Sequence, residues 1–256
     1  MAFEGKVVLI TGGGSGMGRL AARNLAAAGK EVAIFDVNPE GLAETATGHD
    51  TIHHCVLDIT DADAVHQAVK AVEEKLGPID RLYNCAAIMP FGKLLEHDAN
   101  VMKKMMEINY NGLIHITQAV LPGMVARGRG DFISFASMAG LLPTLLTGGY
   151  SATKAAVAMF TEILYHENMN SGVRFACVCP PTTNTPLLKQ GKDTAWPKML
   201  DQGTLLDPQE VLDAIESHLE KGKFWVFPNR DSRIGYLMRR FAPGLIWKQI
   251  HKVEGF

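Results

Sequence analysis

Tyr150 and Lys154 stand four residues apart in Tyr150-Ser151-Ala152-Thr153-Lys154, which sets a phenol and an ammonium on one face of a helix. A free phenol has a pKa near ~10 and is a poor base at neutral pH, but a neighbouring cation favours phenolate. Such a pair can take a hydroxyl proton as hydride leaves a carbinol carbon, and can return it to the alkoxide in reverse. With five tyrosines in 256 residues, the spacing arises by chance often enough that position must carry it. Ser137 supplies the position, closing a predicted strand just upstream, at the edge where open α/β sheets hold their ligands.

A second constellation lies near the N-terminus, in Thr11-Gly12-Gly13-Gly14-Ser15-Gly16-Met17-Gly18. Glycines allow a tight turn and let backbone N–H groups approach a pyrophosphate, while the helix that follows adds donors and a favourable dipole. The turn sits after a first strand and before a helix, the context such a motif needs. The second predicted strand ends at Asp36, whose carboxylate can accept from both adenosine ribose hydroxyls and repel a 2′-phosphate. Val37 and Asn38 follow, and Ser15 brings no basic side chain, so NAD(H) is expected over NADP(H).

The elements that position these groups follow a regular alternation. Predicted strands are Lys6 to Thr11, Glu31 to Asp36, Thr51 to Leu57, Arg81 to Asn84, Asp131 to Ser137, Arg174 to Cys179 and Lys223 to Phe227. Helical patterns begin near Gly16, Asn38, Asp61, Asn100, Gly149 and Pro208. Nearly wholly apolar strands such as Val7-Val8-Leu9-Ile10 suit parallel pairing buried on both faces. The expectation is α/β: one Rossmann-like, doubly wound parallel sheet of about seven strands flanked by helices. No linker or repeat divides the chain, so residues 1–256 read as a single catalytic domain. The proline-rich stretch at about 181–206 reads as a substrate lid.

Composition narrows the partners. The formal net charge of −2 gives no general reason to expect a nucleic-acid or anionic-membrane partner. Cys55, Cys85, Cys177 and Cys179 form no metal-ligand spacing, so no metal is expected; Cys177 and Cys179 fall on one strand face as free core thiols, which suits a reducing cytoplasm. The N-terminus lacks the pattern of a signal peptide, and a cytoplasmic location is expected. The apolar tail at about 234–256 carries Arg239, Arg240, Lys248, His251 and Lys252. It reads first as a segment packed on the body or a neighbouring subunit, and second as a peripheral membrane contact.

Together these residues make the chain resemble the short-chain dehydrogenase/reductase family across nearly all of residues 5–227. Thr11, Gly12, Gly16 and Gly18 match its T-G-x-x-x-G-x-G turn, and Asn84-Cys85-Ala86-Ala87 is similar to its N-N-A-G. Asn109, Ser137, Tyr150 and Lys154 match its catalytic tetrad. The resemblance implies that Ser137 holds the substrate oxygen, that Lys154 holds the nicotinamide ribose and tunes Tyr150, and that Asn109 anchors a relay water. It implies cofactor contacts from Gly12, Ser15, Gly16, Met17, Gly18, Asp36, Asp58, Ile59, Asn84, Ala86, Pro180, Thr182, Thr183 and Thr185, besides Tyr150 and Lys154. It also implies a homotetramer or homodimer. Cys85, Ala87 and Pro181 depart from the family pattern, which bears on sheet bracing and on the backbone near the nicotinamide.

The loops expected to face the substrate are apolar. Met89, Phe91, Met138, Leu141, Leu142, Leu145, Leu188 and Trp196 are the expected lining, suited to a steroid-, terpenoid- or aromatic-like alcohol or ketone. A nucleotide-sensing protein without catalysis and a redox-neutral epimerase or dehydratase are the alternatives on this fold.

Overall fold

The computed structural model describes residues 3–255; Met1, Ala2 and Phe256, at the ends of the expected domain and tail, lie outside the described residues. Seven strands form one sheet: β1 (Val7–Thr11), β2 (Glu31–Asp36), β3 (Ile52–Val56), β4 (Ile79–Asn84), β5 (Gly130–Phe135), β6 (Val173–Val178) and β7 (Trp225–Val226). Their order is β3-β2-β1-β4-β5-β6-β7 and every pairing is parallel. This is the expected Rossmann-like sheet. The order reverses between β1 and β4, so connections leave in opposite directions and open a crevice at the carboxyl ends.

Side-chain alternation builds a core on each face. Val7 and Leu9 point into one layer with Val65, Ile116 and Val157. That layer belongs to α3 (Ala62–Leu76), α5 (Gly112–Arg127) and α6 (Gly148–Glu167). Val8 and Ile10 point the other way, onto Ala22, Leu42 and Ile215. Those residues come from α1 (Gly16–Ala27), α2 (Pro39–Ala46) and α8 (Pro208–Glu220). In α1 the buried Gly18, Ala21, Ala22 and Leu25 follow the i, i+3, i+4, i+7 spacing of one helical face. Helix starts are written locally: Asn38 accepts from Gly41 N at 3.0 Å, Asp61 from Ala64 N at 3.0 Å and Asp207 from Gln209 N at 2.7 Å.

The observed bounds depart from expectation where function intervenes. The helix expected from near Asn100 is broken into α4 (Ala99–Met106) and α5 by a π turn over Glu107–Asn111. Such wide turns occur at functional sites, and this one carries the buried Asn109. Strand β5 stops at Phe135 because Ser137 starts a 3₁₀ turn, its hydroxyl accepting from Ala139 N at 3.1 Å. β7 is shorter than expected, since only Trp225 and Val226 pair on β6.

The stretch at 181–206 folds into α7 (Pro186–Lys192) and a 3₁₀ turn at Lys198–Asp201. The tail forms α9 (Arg230–Phe241) and α10 (Pro243–Glu254). Part of it packs on the body: Ser232 and Ile250 are buried and Tyr236 stacks on Phe227 at 5.4 Å. All four cysteines are free, Cys177 and Cys179 sharing one buried face as expected while Cys55 is exposed.

At the opposite end of the sheet from the crevice lies a fully buried cation. Arg81 is 0% exposed; its Nε donates to Asp131 at 2.8 Å, and its guanidinium also binds Glu216 and the Tyr83 hydroxyl. The Phe3 ring covers it at 4.1 Å. Asp131 is shared with Arg174 at 2.6 Å, joining β4, β5 and β6, while Glu216 brings in α8. Removing one member leaves buried charge unpaired, which costs far more than a surface pair. Arg81→Met should therefore lower the unfolding free energy by about 3 kcal/mol, the low end for such a loss because Arg174 still faces Asp131. Urea denaturation reads this directly; a change under about 1 kcal/mol would mean that packing, not the ion network, holds this end.

Candidate active site

The crevice contains a cavity of about 990 Å³ running from the glycine turn to the segment at 181–206. One end is built by β1, β2 and α1. Gly12, at φ +67°, lies so close to the loop after β4 that a Cβ would sit 2.8 Å from Ala86 N, and a Cβ on Gly18 would meet Gly12 O at 2.2 Å. Only glycine gives this turn its depth. Ser15 precedes α1 without a side-chain capping bond, which leaves first-turn N–H groups facing the cavity for an anion. Asp36 lines the same end, its two oxygens accepting from Gly14 N at 2.9 Å and Asn38 N at 3.0 Å, each with a lone pair to spare. Arg19, from α1, is turned away onto Glu44, Thr45 and Gly14 O, so it braces the turn rather than entering the cavity. This cradle, with its carboxylate, fits a dinucleotide.

The other end gathers the chemical groups. Tyr150 and Lys154 sit one turn apart on α6, 5% and 4% exposed. Ser137 lines the cavity with them, near enough to the Tyr150 phenol to lower its pKa. Tyr150 also lies in an apolar cluster with Met89, Phe91, Met105 and Leu188. Burial there pushes the phenol above its ordinary range, and Ser137 works against that rise. Lys154 stands beside this pair. Its Nζ donates to Phe135 O at 2.7 Å and lies 5.8 Å from the tyrosine ring centre. Burial pushes its own pKa down to about 8, with Cys85, Cys177 and Cys179 acting in the opposite sense.

Asn109 is held wholly by protein groups. Its side chain accepts from Ile88 N at 2.8 Å and donates to Ile88 O and to Thr153 Oγ1, both at 3.0 Å. It clamps the loop after β4 to α6. Thr153, which holds it, was not singled out from the sequence; its place one turn beyond Tyr150 was the available signal.

Most expected cofactor residues line the cavity: Gly12, Ser15, Gly16, Met17, Gly18, Asp36, Asp58, Ile59, Ala86, Pro180, Thr182, Thr183 and Thr185. Asn84 does not. It is buried behind the wall, accepting from Thr11 Oγ1 at 2.8 Å, and so braces β1 to β4. On the substrate side Met89, Phe91, Met138, Leu142 and Leu188 line the cavity, whereas Leu141, Leu145 and Trp196 do not. Leu141 packs on the core; Trp196 backs Phe91 at 6.1 Å and donates to Asp201. Leu145 precedes Leu146, whose φ of +67° turns the loop so that Leu146 O receives Gly92 N. Asn229, Asp231 and Ser232 complete the wall from the start of α9, a contribution no local motif announced. The segment at 181–206 is tied to the β4 loop by Gln190, which accepts from Met89 N at 2.5 Å, and by Thr194, which accepts from Phe91 N at 2.8 Å.

Over residues 6–196 the sequence matches the family described as short chain dehydrogenase. The chain belongs to the short-chain dehydrogenase family. Within that family it is 34% identical over 226 residues to the 2-keto-3-deoxy-L-fuconate dehydrogenase of Xanthomonas campestris pv. campestris, covering 83% of this chain and 73% of that one. It is 27% identical over 267 residues to epidermal retinol dehydrogenase 2 of Homo sapiens, covering 98% and 85%. A short chain dehydrogenase/reductase from Burkholderia phymatum, solved in complex with NAD, superposes with a TM-score of 0.84 at 26% identity over 96% of each chain. This dehydrogenase is thus an oxidoreductase by kinship, with a cradle suited to a nicotinamide dinucleotide.

Lys154 ties stability to pH. Below about pH 8 both folded and unfolded chains hold its proton, and the burial cost is present in full. Between about 8 and the ordinary 10.5 only the unfolded chain holds it, so stability from this group rises with pH and then levels. Lys154→Met should therefore be more stable than the parent at neutral pH by on the order of 2–3 kcal/mol, the advantage fading by pH ~10. Denaturation at several pH values checks this; a difference that does not change with pH would mean that the ammonium is not destabilised by burial.

Proposed function

We propose that this short-chain dehydrogenase uses NAD(H) to interconvert a hydrophobic secondary alcohol and its ketone, with Tyr150 as acid/base. One observation carries the proposal: the buried Tyr150 hydroxyl and Ser137 stand at the apolar end of a cavity whose far end presents Asp36. The bound dinucleotide supplies the hydride acceptor or donor. Tyr150 takes the alcohol proton in oxidation and returns it in reduction, while Ser137 donates to the substrate oxygen as charge develops there. Lys154 holds the ribose hydroxyls, and Thr185 faces the nicotinamide end. Asn109 positions, through Ile88 and Thr153, the loop and helix that carry these groups.

The lining favours an apolar substrate over a sugar acid. Met89, Phe91, Met138, Leu142 and Leu188 surround the reacting end, and no arginine lines the cavity. Apart from Asp36, Asp58 and Lys154, its charged residues are Lys104 and Asp231, of opposite sign. Such a lining suits a steroid-, terpenoid- or aromatic-like compound. Residues 181–206 act as a lid over one catalytic domain, and exposed Met159 and Ile163 on α6 suit association with a second copy.

The test is NAD-linked oxidation of hydrophobic secondary alcohols beside 2-keto-3-deoxy sugar acids, with NADP in parallel. The proposal expects higher kcat/KM for the apolar set and is overturned by preference for the acids. Tyr150→Phe should abolish turnover while leaving NADH binding, followed by fluorescence, within about twofold, because the lost hydroxyl acts on the substrate. Asp36→Ala should cut NAD preference over NADP by about tenfold or more, as repulsion of the 2′-phosphate goes. Unchanged discrimination would remove Asp36 from that role.

A further inference from the structure

The tail helices carry a surface that neither the cavity nor the sheet uses. Ile234, Leu237, Met238 and Phe241 follow one another at i, i+3, i+4 and i+7 on α9, and all are exposed, Phe241 at 77%. Leu245 at the start of α10 extends this apolar stripe at 61% exposure. It is the face opposite the one that packs inward through Ser232 and Tyr236.

Charge is sorted on the same two helices. Residues 230–254 hold six arginines and lysines against two acids, whereas the whole chain holds 25 against 27. Arg230, Arg233, Arg240, Lys248 and Lys252 are exposed, and among the described residues none enters an ion pair. Of the two acids, Glu254 is half-buried and accepts from Met199 N at 2.8 Å, while Asp231, at the first turn of α9, is exposed at the rim of the cavity. The outward charge of these two helices is therefore mostly positive, five exposed cations against the exposed Asp231.

We propose that α9 and α10 dock this dehydrogenase on an anionic lipid surface, the apolar stripe entering the headgroup boundary and the cations resting on lipid phosphates. An apolar helical face bordered by arginine and lysine binds in that way, its strength scaling with apolar area and lipid charge. A second copy is the poorer occupant, because a two-fold contact through this face would set like charges opposite one another. Among the described residues no helix is long and apolar enough to cross a membrane, so the contact is peripheral. Because α9 begins in the cavity wall, docking would set the cavity beside the bilayer.

Flotation of the full chain with phosphatidylserine-containing and pure phosphatidylcholine vesicles, at low and high salt, tests this. Binding should require the anionic lipid and fade with salt. Leu237→Glu with Phe241→Glu should abolish it, and Arg233→Gln with Arg240→Gln should weaken it by about fivefold per charge. Circular dichroism and NADH binding unchanged in both pairs would show that the fold is kept. Absence of wild-type binding to the anionic vesicles, or binding that ignores these substitutions, overturns the proposal. A fall in oligomeric mass on Leu237→Glu/Phe241→Glu without any vesicle binding assigns the stripe to a second copy instead and equally overturns it.

Discussion

Strands β1 and β4 lie side by side with their connections departing in opposite directions, and the closeness of that junction governs the site. Thr11 donates to Asn84 and receives Ala86 N, so the two strand ends are laced through one hydroxyl. Gly12 then turns with its Cα almost against Ala86. Any side chain there would push the loops apart and spread the crevice that holds both the nucleotide cradle and the reacting end. The departure at Cys85 leaves this lacing intact, because Asn84 and Thr11 carry it.

From the junction the reacting end is assembled by burial, and burial has opposed effects on its two titrating groups. The apolar cluster that excludes water from Tyr150 favours its neutral form, and the low-dielectric site around Lys154 disfavours the ammonium. Ser137 favours the ionised phenol against that burial, while Phe135 O accepts from Lys154 Nζ at 2.7 Å. Asn109 serves the same assembly from behind, with a π turn rotating it inward onto the β4 loop.

The elements added last in the chain bound the substrate side. The segment at 181–206 is fastened to the β4 loop by side-chain oxygens of Gln190 and Thr194, which accept from backbone N–H groups of Met89 and Phe91. Helix α9 contributes a wall on one face and leaves an apolar stripe bordered by cations on another. The far end of the sheet is held separately, by the ion network around Arg81.

Much of this was legible in the chain alone, because strand burial, helix caps and glycine turns are local and periodic. Val7 to Ile10 read as a strand buried on both faces, and Asn38, Asp61 and Pro208 marked helix starts. Gly12, Asp36, Ser137, Tyr150 and Lys154 announced a dinucleotide and proton transfer through their order. What only the tertiary structure decided concerns partners distant in sequence. Asn84 braces instead of lining, Leu141, Leu145 and Trp196 turn from the cavity, and Lys154 donates to Phe135 O while standing 5.8 Å from the Tyr150 ring centre. Asn229 and Asp231 enter the wall because α9 folds back over β7. Side-chain direction at these positions follows from packing between remote elements, and spacing along one strand or helix carries no information about it.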